Sequence, residues 1–244
     1  MKQAWIEWWG IELNVVSRKE KLVALLGGFL GILLLMTVVG HFIGLEGCSA
    51  LIASMGASAV LLFGVPHGQL SQPWPVLAGH ALSAFIGVAC AKWIPTPELA
   101  GACAVGLALG AMHQLKCIHP PGGATALTAV IGGPAVHAMG FEFVLLPVIL
   151  NAALMVGAAV CYNYFFRWRR YPVALAQPVA PPTSRSRAPG HEEIVEAIRS
   201  LDSFVDISEA DLVQLVTILN DGPEARREKL KEEAHERVMR RRQK

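Results

Sequence analysis

The sequence predicts an all-α, polytopic membrane helical bundle made of two related units, each long, short and long in its three segments, followed by a short cytosolic helical tail. Three observations carry this. Hydrophobic residues are 53% of the chain and charged ones 16%, and the two classes are segregated, as in membrane segments joined to soluble ends. Between Leu22 and Phe166 there is no Asp and no Arg, and Glu46, Lys92, Glu98, Lys116 and Glu142 all lie near the ends of apolar runs. Segments of the first half also recur in the second.

Residues 1–21 contain WIEWWGIEL, where Trp5, Trp8 and Trp9 alternate with acids. Indoles favour the headgroup region, so this stretch is expected to lie in the membrane interface. The membrane domain, residues 22–170, follows with apolar runs at 22–43, 50–64, 74–94, 99–115, 122–133 and 143–166. The first run is too long for a cleaved signal core and is read as a retained span. Crossing about 30 Å of hydrocarbon takes about 20 residues. The second and fifth runs are too short, which makes them half-helices or spans completed by irregular backbone shielded by protein.

Those two short runs resemble each other: GASAVLLFG from Gly56 and GATALTAVIGG from Gly123. The likeness continues into the next run, where PVLAGHAL from Pro75 pairs with PVILNAAL from Pro147. Repeat one therefore covers about 22–94 and repeat two about 97–166. Three crossings per unit would invert the second copy and give six in all; two crossings plus a re-entrant loop would give four. Paired short, Gly/Pro-interrupted segments favour the inverted arrangement. Lys2, Arg18, Lys19 and Lys21 precede the first run and Arg167, Arg169 and Arg170 follow the last. Both termini are thereby expected in the cytoplasm of a cell with the domain in its inner membrane.

Beyond the membrane domain, residues 171–190 are rich in Pro, Ser and Arg and read as a linker. Residues 191–244 carry helical spacing at Ile194, Val195, Ile198 and Leu201, a helix-start signal at Ser208, and a charged final stretch. They are too few for a large core.

The candidate chemistry sits at KCIHPPGGATAL, residues 116–127. Pro120 and Pro121 suit a helix start, and Gly122 and Gly123 leave the following amides uncovered. Such an end, placed at membrane depth, attracts a small anion. The first repeat offers Ser54, Gly56 and Ser58, with Ser58 equivalent to Thr125. The expected binding residues are thus Ser54, Gly56, Ser58, His119, Gly122, Gly123 and Thr125, with the two helix tips facing across the midplane. Donors of this kind hold an anion without a fixed positive charge that would retain it. Lys116, His80 and Asn151 are the candidates for gating or access. Close helix packing by small residues explains part of the same composition and stands beside this reading.

The histidines of HQLKCIH lack further ligands for a metal site, and Cys48, Cys90, Cys103, Cys117 and Cys161 form no CxxC pair. No metal or other cofactor is expected. Nothing resembles a nucleophile elbow, HExxH, Walker loop or dinucleotide fingerprint, so neither an enzyme nor a nucleic-acid binder is indicated. The partners expected are a small inorganic anion, the lipid bilayer and, because so thin a bundle shields broken helices poorly, a second copy of the chain.

HPPGGATAL, MGASAVLLFGVPHGQLSQPWPVLAGHALSA from Met55 and YNYFFRWRRYP ending at Pro172 together resemble the HPP family of integral membrane proteins, over roughly 22–172. The resemblance implies a four-span protein, and nitrite transport as in plastid and cyanobacterial members. VDISEADL near Asp206 is similar to the segment leading into a CBS regulatory domain in some relatives, with too little chain after it for one here. The functional expectation is a transporter or channel for nitrite, or for nitrate. A membrane scaffold or sensor acting through the C-terminal helices is the alternative.

Overall fold

A computed structural model describes Trp9 and residues 16–42 and 49–175, without the side chains of residue 42 and residues 49–52. The expected interfacial segment, most of the linker and the tail lie outside the described residues. Among the described residues there are helices and no strands: α1 (Arg18–Phe42), α2 (Ser49–Gly64), α3 (Pro73–Trp93), α4 (Pro97–Gln114), α5 (Pro120–Ile131), α6 (Gly133–Met139) and α7 (Leu150–Tyr164). A 3-10 turn, Gln69–Ser71, precedes α3, and a π-helical segment, Val144–Ile149, leads into α7. Among the described residues three stretches are long and apolar enough to cross a membrane: Arg18–His41, Pro73–Trp93 and Val144–Tyr164.

The starts follow local chemistry. Ser17 Oγ accepts the Glu20 amide at 3.1 Å and caps α1. Helices α3, α4 and α5 each open on proline, whose missing N–H would have no partner there. The sixth apolar run, expected as one piece, is interrupted. Leu146 adopts an extended conformation (φ −125°, ψ 112°), the conformation that Pro147 favours in the residue before it.

Helix directions follow from the contacts. The start of α1, the end of α2 and the end of α7 share one end of the bundle: Tyr162 Oη donates to Val23 O at 2.8 Å, and Asn163 Nδ2 to Leu62 O at 3.4 Å. The start of α3 joins them through Ser71 Oγ, which donates to Leu61 O at 3.1 Å. The end of α4 joins through Trp74 Nε1, which donates to Leu115 O at 3.2 Å. Lys92 and Phe85 of α3 meet Gly140 and Phe141 at the opposite end.

Helix α5 lies beside α3 and runs the same way. Their approach depends on glycine: a Cβ on Gly79 would stand 2.8 Å from His119 Cβ, and one on Gly87 would stand 2.8 Å from Ala129 Cβ. Small residues serve this purpose in membranes, where helices gain little from excluding lipid and much from close contact. Met55, Leu62, Phe63, Val76, Val148 and Met155 build the core between α2, α3 and α7, while Leu25, Phe29 and Leu33 of α1 remain outside it, exposed. Tyr171 is fully buried and its hydroxyl donates to Ser71 O at 2.8 Å, so it packs with the bundle.

Candidate functional site

Inside this apolar bundle, Ser54, Ser58, His80, His119 and Thr125 are each 0% exposed. Ser54 and Ser58 are four apart on α2 and so share a face. His80 lies on the second turn of α3, His119 is the extended residue that caps α5 (φ −139°, ψ 102°), and Thr125 is within α5. Three helices thus converge on one polar chain. Ser58 Oγ lies 2.9 Å from His80 Nε2 and 2.9 Å from His119 Nε2. His80 Nδ1 is 2.7 Å from Thr125 Oγ1, which is 3.2 Å from Ser54 Oγ. His119 Nδ1 meets Leu70 O, in the 3-10 turn, at 2.8 Å. The two rings stand edge to face with centroids 4.9 Å apart.

One expectation is corrected here. The tips of α2 and α5 do not face each other across a gap; α5 lies alongside α2, with His119 at Ser58 and Thr125 at Ser54. The amides of α5 are also less available than HPPGG implied. Pro120 and Pro121 have none, and the Gly122 amide donates to His119 O at 2.8 Å. Of the four amides that a helix start leaves without helical partners, three are therefore absent or paired, and the polar chemistry passes to side chains.

The remaining sequence-predicted residues are dispersed. Gly122 packs α5 on α3, since a Cβ there would stand 2.8 Å from Ser83 Oγ. A Cβ on Gly123 would stand 3.9 Å from Val105 of α4, and one on Gly56 would meet nothing within 4 Å, so neither position faces the chain. Lys116 is exposed in the link before α5, with a left-handed φ of 53°. Asn151 is fully buried, and neither amide atom has a hydrogen-bond partner. Leu70 O, a partner that sequence reading missed, is a main-chain carbonyl with no side-chain signature.

A second buried polar group, also missed, closes the end of the bundle. Arg169 pairs with Glu20 and donates to Phe63 O, its Nε donates to Asn163 Oδ1 at 3.2 Å, and Trp168 Nε1 donates to Glu20 Oε2 at 2.8 Å. Burial lowers the Arg169 guanidinium to about 10, which leaves it charged at neutral pH. Burial pushes the Tyr171 hydroxyl up, so it stays a neutral donor.

A recess of about 150 Å³ lies at the other end of α3 and α5, with Val88, Lys92, Ala129 and His137 among its lining. Ala129 is one turn beyond Thr125, and Val88 two turns beyond His80, about 6 and 12 Å along their helices.

The model of the HPP transmembrane region matches residues 13–172, which includes every member of the histidine–hydroxyl chain. The protein belongs to the HPP family. This HPP protein is 40% identical over 152 residues to one transmembrane protein of Dictyostelium discoideum and 39% identical over 153 residues to another, in each case over 61% of its own length. Those alignments cover 49% and 53% of the relatives, so the chain spans about half the length of the curated relatives it matches. No solved structure matches it.

Proposed function

We propose that this HPP-family protein is an inner-membrane transporter or channel for a small monovalent anion, nitrite first and nitrate next, and that the anion passes the histidine–hydroxyl chain. The carrying observation is that five polar side chains, all fully buried, meet within an apolar membrane domain. Polar groups at such depth are expensive and mark pathways. Hydroxyl and imidazole N–H groups are neutral donors, able to replace part of an anion's hydration shell and then release it. In the described conformation they satisfy one another. The chain must therefore open and turn its donors toward the anion.

Helix directions support two inverted units and six crossings: α1, α3 and α5 run one way, and α2, α4 and α7 the other. The ion pair between Glu20 and Arg169 brings both flanks of the domain to one end, in keeping with both termini in the cytoplasm. Lys116 stands at that end and Lys92, in the recess, at the other, so each mouth carries a cation that concentrates anions. A cysteine at exposed Gln69 tests the orientation: labelling from the cytoplasm is expected, and labelling from the opposite side would refute it.

Proteoliposomes offered nitrite, nitrate, formate and chloride test the function. Saturable flux of nitrite or nitrate is expected, abolished by Ser58→Ala in protein that still folds. Absence of flux for every anion would end the proposal.

A further inference from the structure

We infer that the chain Thr125–His80–Ser58–His119 takes up one proton with each anion, so that this protein is an anion–proton symporter. The inference rests on the anion pathway proposed above and adds what travels with the anion. It follows from counting hydrogens.

Leu70 O can only accept, so His119 Nδ1 carries its proton. With both rings neutral, His119 Nε2 is then a lone pair, and the hydrogen that reaches it belongs to Ser58. Ser58 has one hydrogen. Its contact with His80 Nε2 is a hydrogen bond only if that nitrogen carries the proton, which leaves His80 Nδ1 to accept from Thr125 at 2.7 Å. Ser54 O, at 3.3 Å, is a longer acceptor for the Ser58 hydrogen than His119 Nε2 at 2.9 Å; with the shorter bond kept, neutral rings force one direction on the whole chain, and none of these hydrogens is left for an anion.

An added proton has two places to sit. On His80 Nδ1 it makes His80 the cation, with Thr125 turning its hydrogen toward Ser54 Oγ or Pro121 O, 3.2 and 3.4 Å away. From there His80 Nε2 can give its proton to Ser58 Oγ while Ser58 gives its own to His119 Nε2. Two bonds to hydrogen break, two form, and the cation moves to His119. Ser58 is the shared switch. A second proton is opposed by the first, because the rings are only 4.9 Å apart.

Among the described residues, the surroundings supply no counter-charge. Serine hydroxyls face the pair from α2, the buried Cys117 and the exposed Lys116 lie in the link before α5, and His113 at the end of α4 is exposed. Lys92 is at the far end of α3, His67 is bonded to Arg170 O at 3.1 Å, and the buried amide of Asn151 is uncharged. Glu20 is engaged by Arg169. Among the described residues no third histidine, cysteine or acid joins the two rings in a cluster. A lone cation in this buried site is unfavourable, and so is a lone anion; together they neutralise each other. Each must then raise the affinity for the other.

The test uses wild-type protein in liposomes enclosing a pH dye, with nitrate as the anion because nitrous acid crosses bilayers unaided. An inward nitrate gradient is expected to acidify the lumen by about one proton per nitrate, at a rate insensitive to membrane potential. His119→Asn keeps a donor near the position of Nδ1 for Leu70 O but cannot take the proton, and it is expected to lose the acidification. Nitrate flux that follows membrane potential with no change in luminal pH would overturn symport and leave the anion pathway standing. No flux of any anion would remove the pathway itself. Should His119→Asn fail to fold, the wild-type proton-to-nitrate ratio decides alone.

Discussion

Among the described residues, two buried polar networks in this bundle are built on opposite plans. The clamp at its end joins a full positive charge to a full negative one, and Arg169 has separate partners in Glu20, Asn163 and Phe63 O. The chain in its middle has no resident charge, and Ser58 Oγ serves two imidazoles at the same distance. In the clamp each Arg169 nitrogen has its own acceptor. In the middle chain Ser58 accepts from one imidazole while donating to the other, and an added proton can reverse those roles, which makes that network capable of two states. Burial alone does not mark function; the way partners are shared does.

The comparison breaks most visibly at the clamp. Arg169→Ala leaves Glu20 buried without its partner, and such a loss costs about 3–5 kcal/mol; thermal unfolding in detergent should record a large drop in Tm. Replacing both partners, as Glu20→Leu with Arg169→Leu, should recover much of it, because the desolvation of both charges disappears together. Ser58→Ala is the next largest effect and of another kind. It removes the bridge between the rings, costs about 1–3 kcal/mol in stability, and should abolish anion flux.

Asn151 sharpens the contrast further. Its amide is buried without partners, so Asn151→Leu is expected to leave Tm unchanged or raise it, since removing an unsatisfied polar group relieves a penalty. If the amide serves the permeating anion in another conformation, flux falls several-fold in the same variant. Lys92→Ala should act least. It should lower flux only modestly, with an effect that fades as salt is raised, as expected for electrostatic attraction at a mouth.

Much of the middle chain was legible in the sequence. Ser54, Ser58 and Thr125 stood out through the repeat, and His119 through the helix break that follows it, because a polar residue in an apolar run is a local signal. His80 was visible for the same reason. Which atoms meet was not legible, since Ser58 and His119 are 61 residues apart and their contact depends on how α5 lies along α2. The open helix tips were an error of emphasis: proline's missing N–H, which suits it to a helix start, also removes the donor an anion would use. The clamp was illegible for a different reason. Arg169 within WRRYP looks like any cation flanking a span, and Glu20 is 149 residues away.

Titration calorimetry of nitrite with purified wild-type, Thr125→Val and Lys92→Ala proteins tests the central claim most directly. The claim predicts saturable binding to the wild type, its loss in a folded Thr125→Val variant, and its survival in Lys92→Ala. Binding that persists unchanged in Thr125→Val, or none in the wild type, would contradict it.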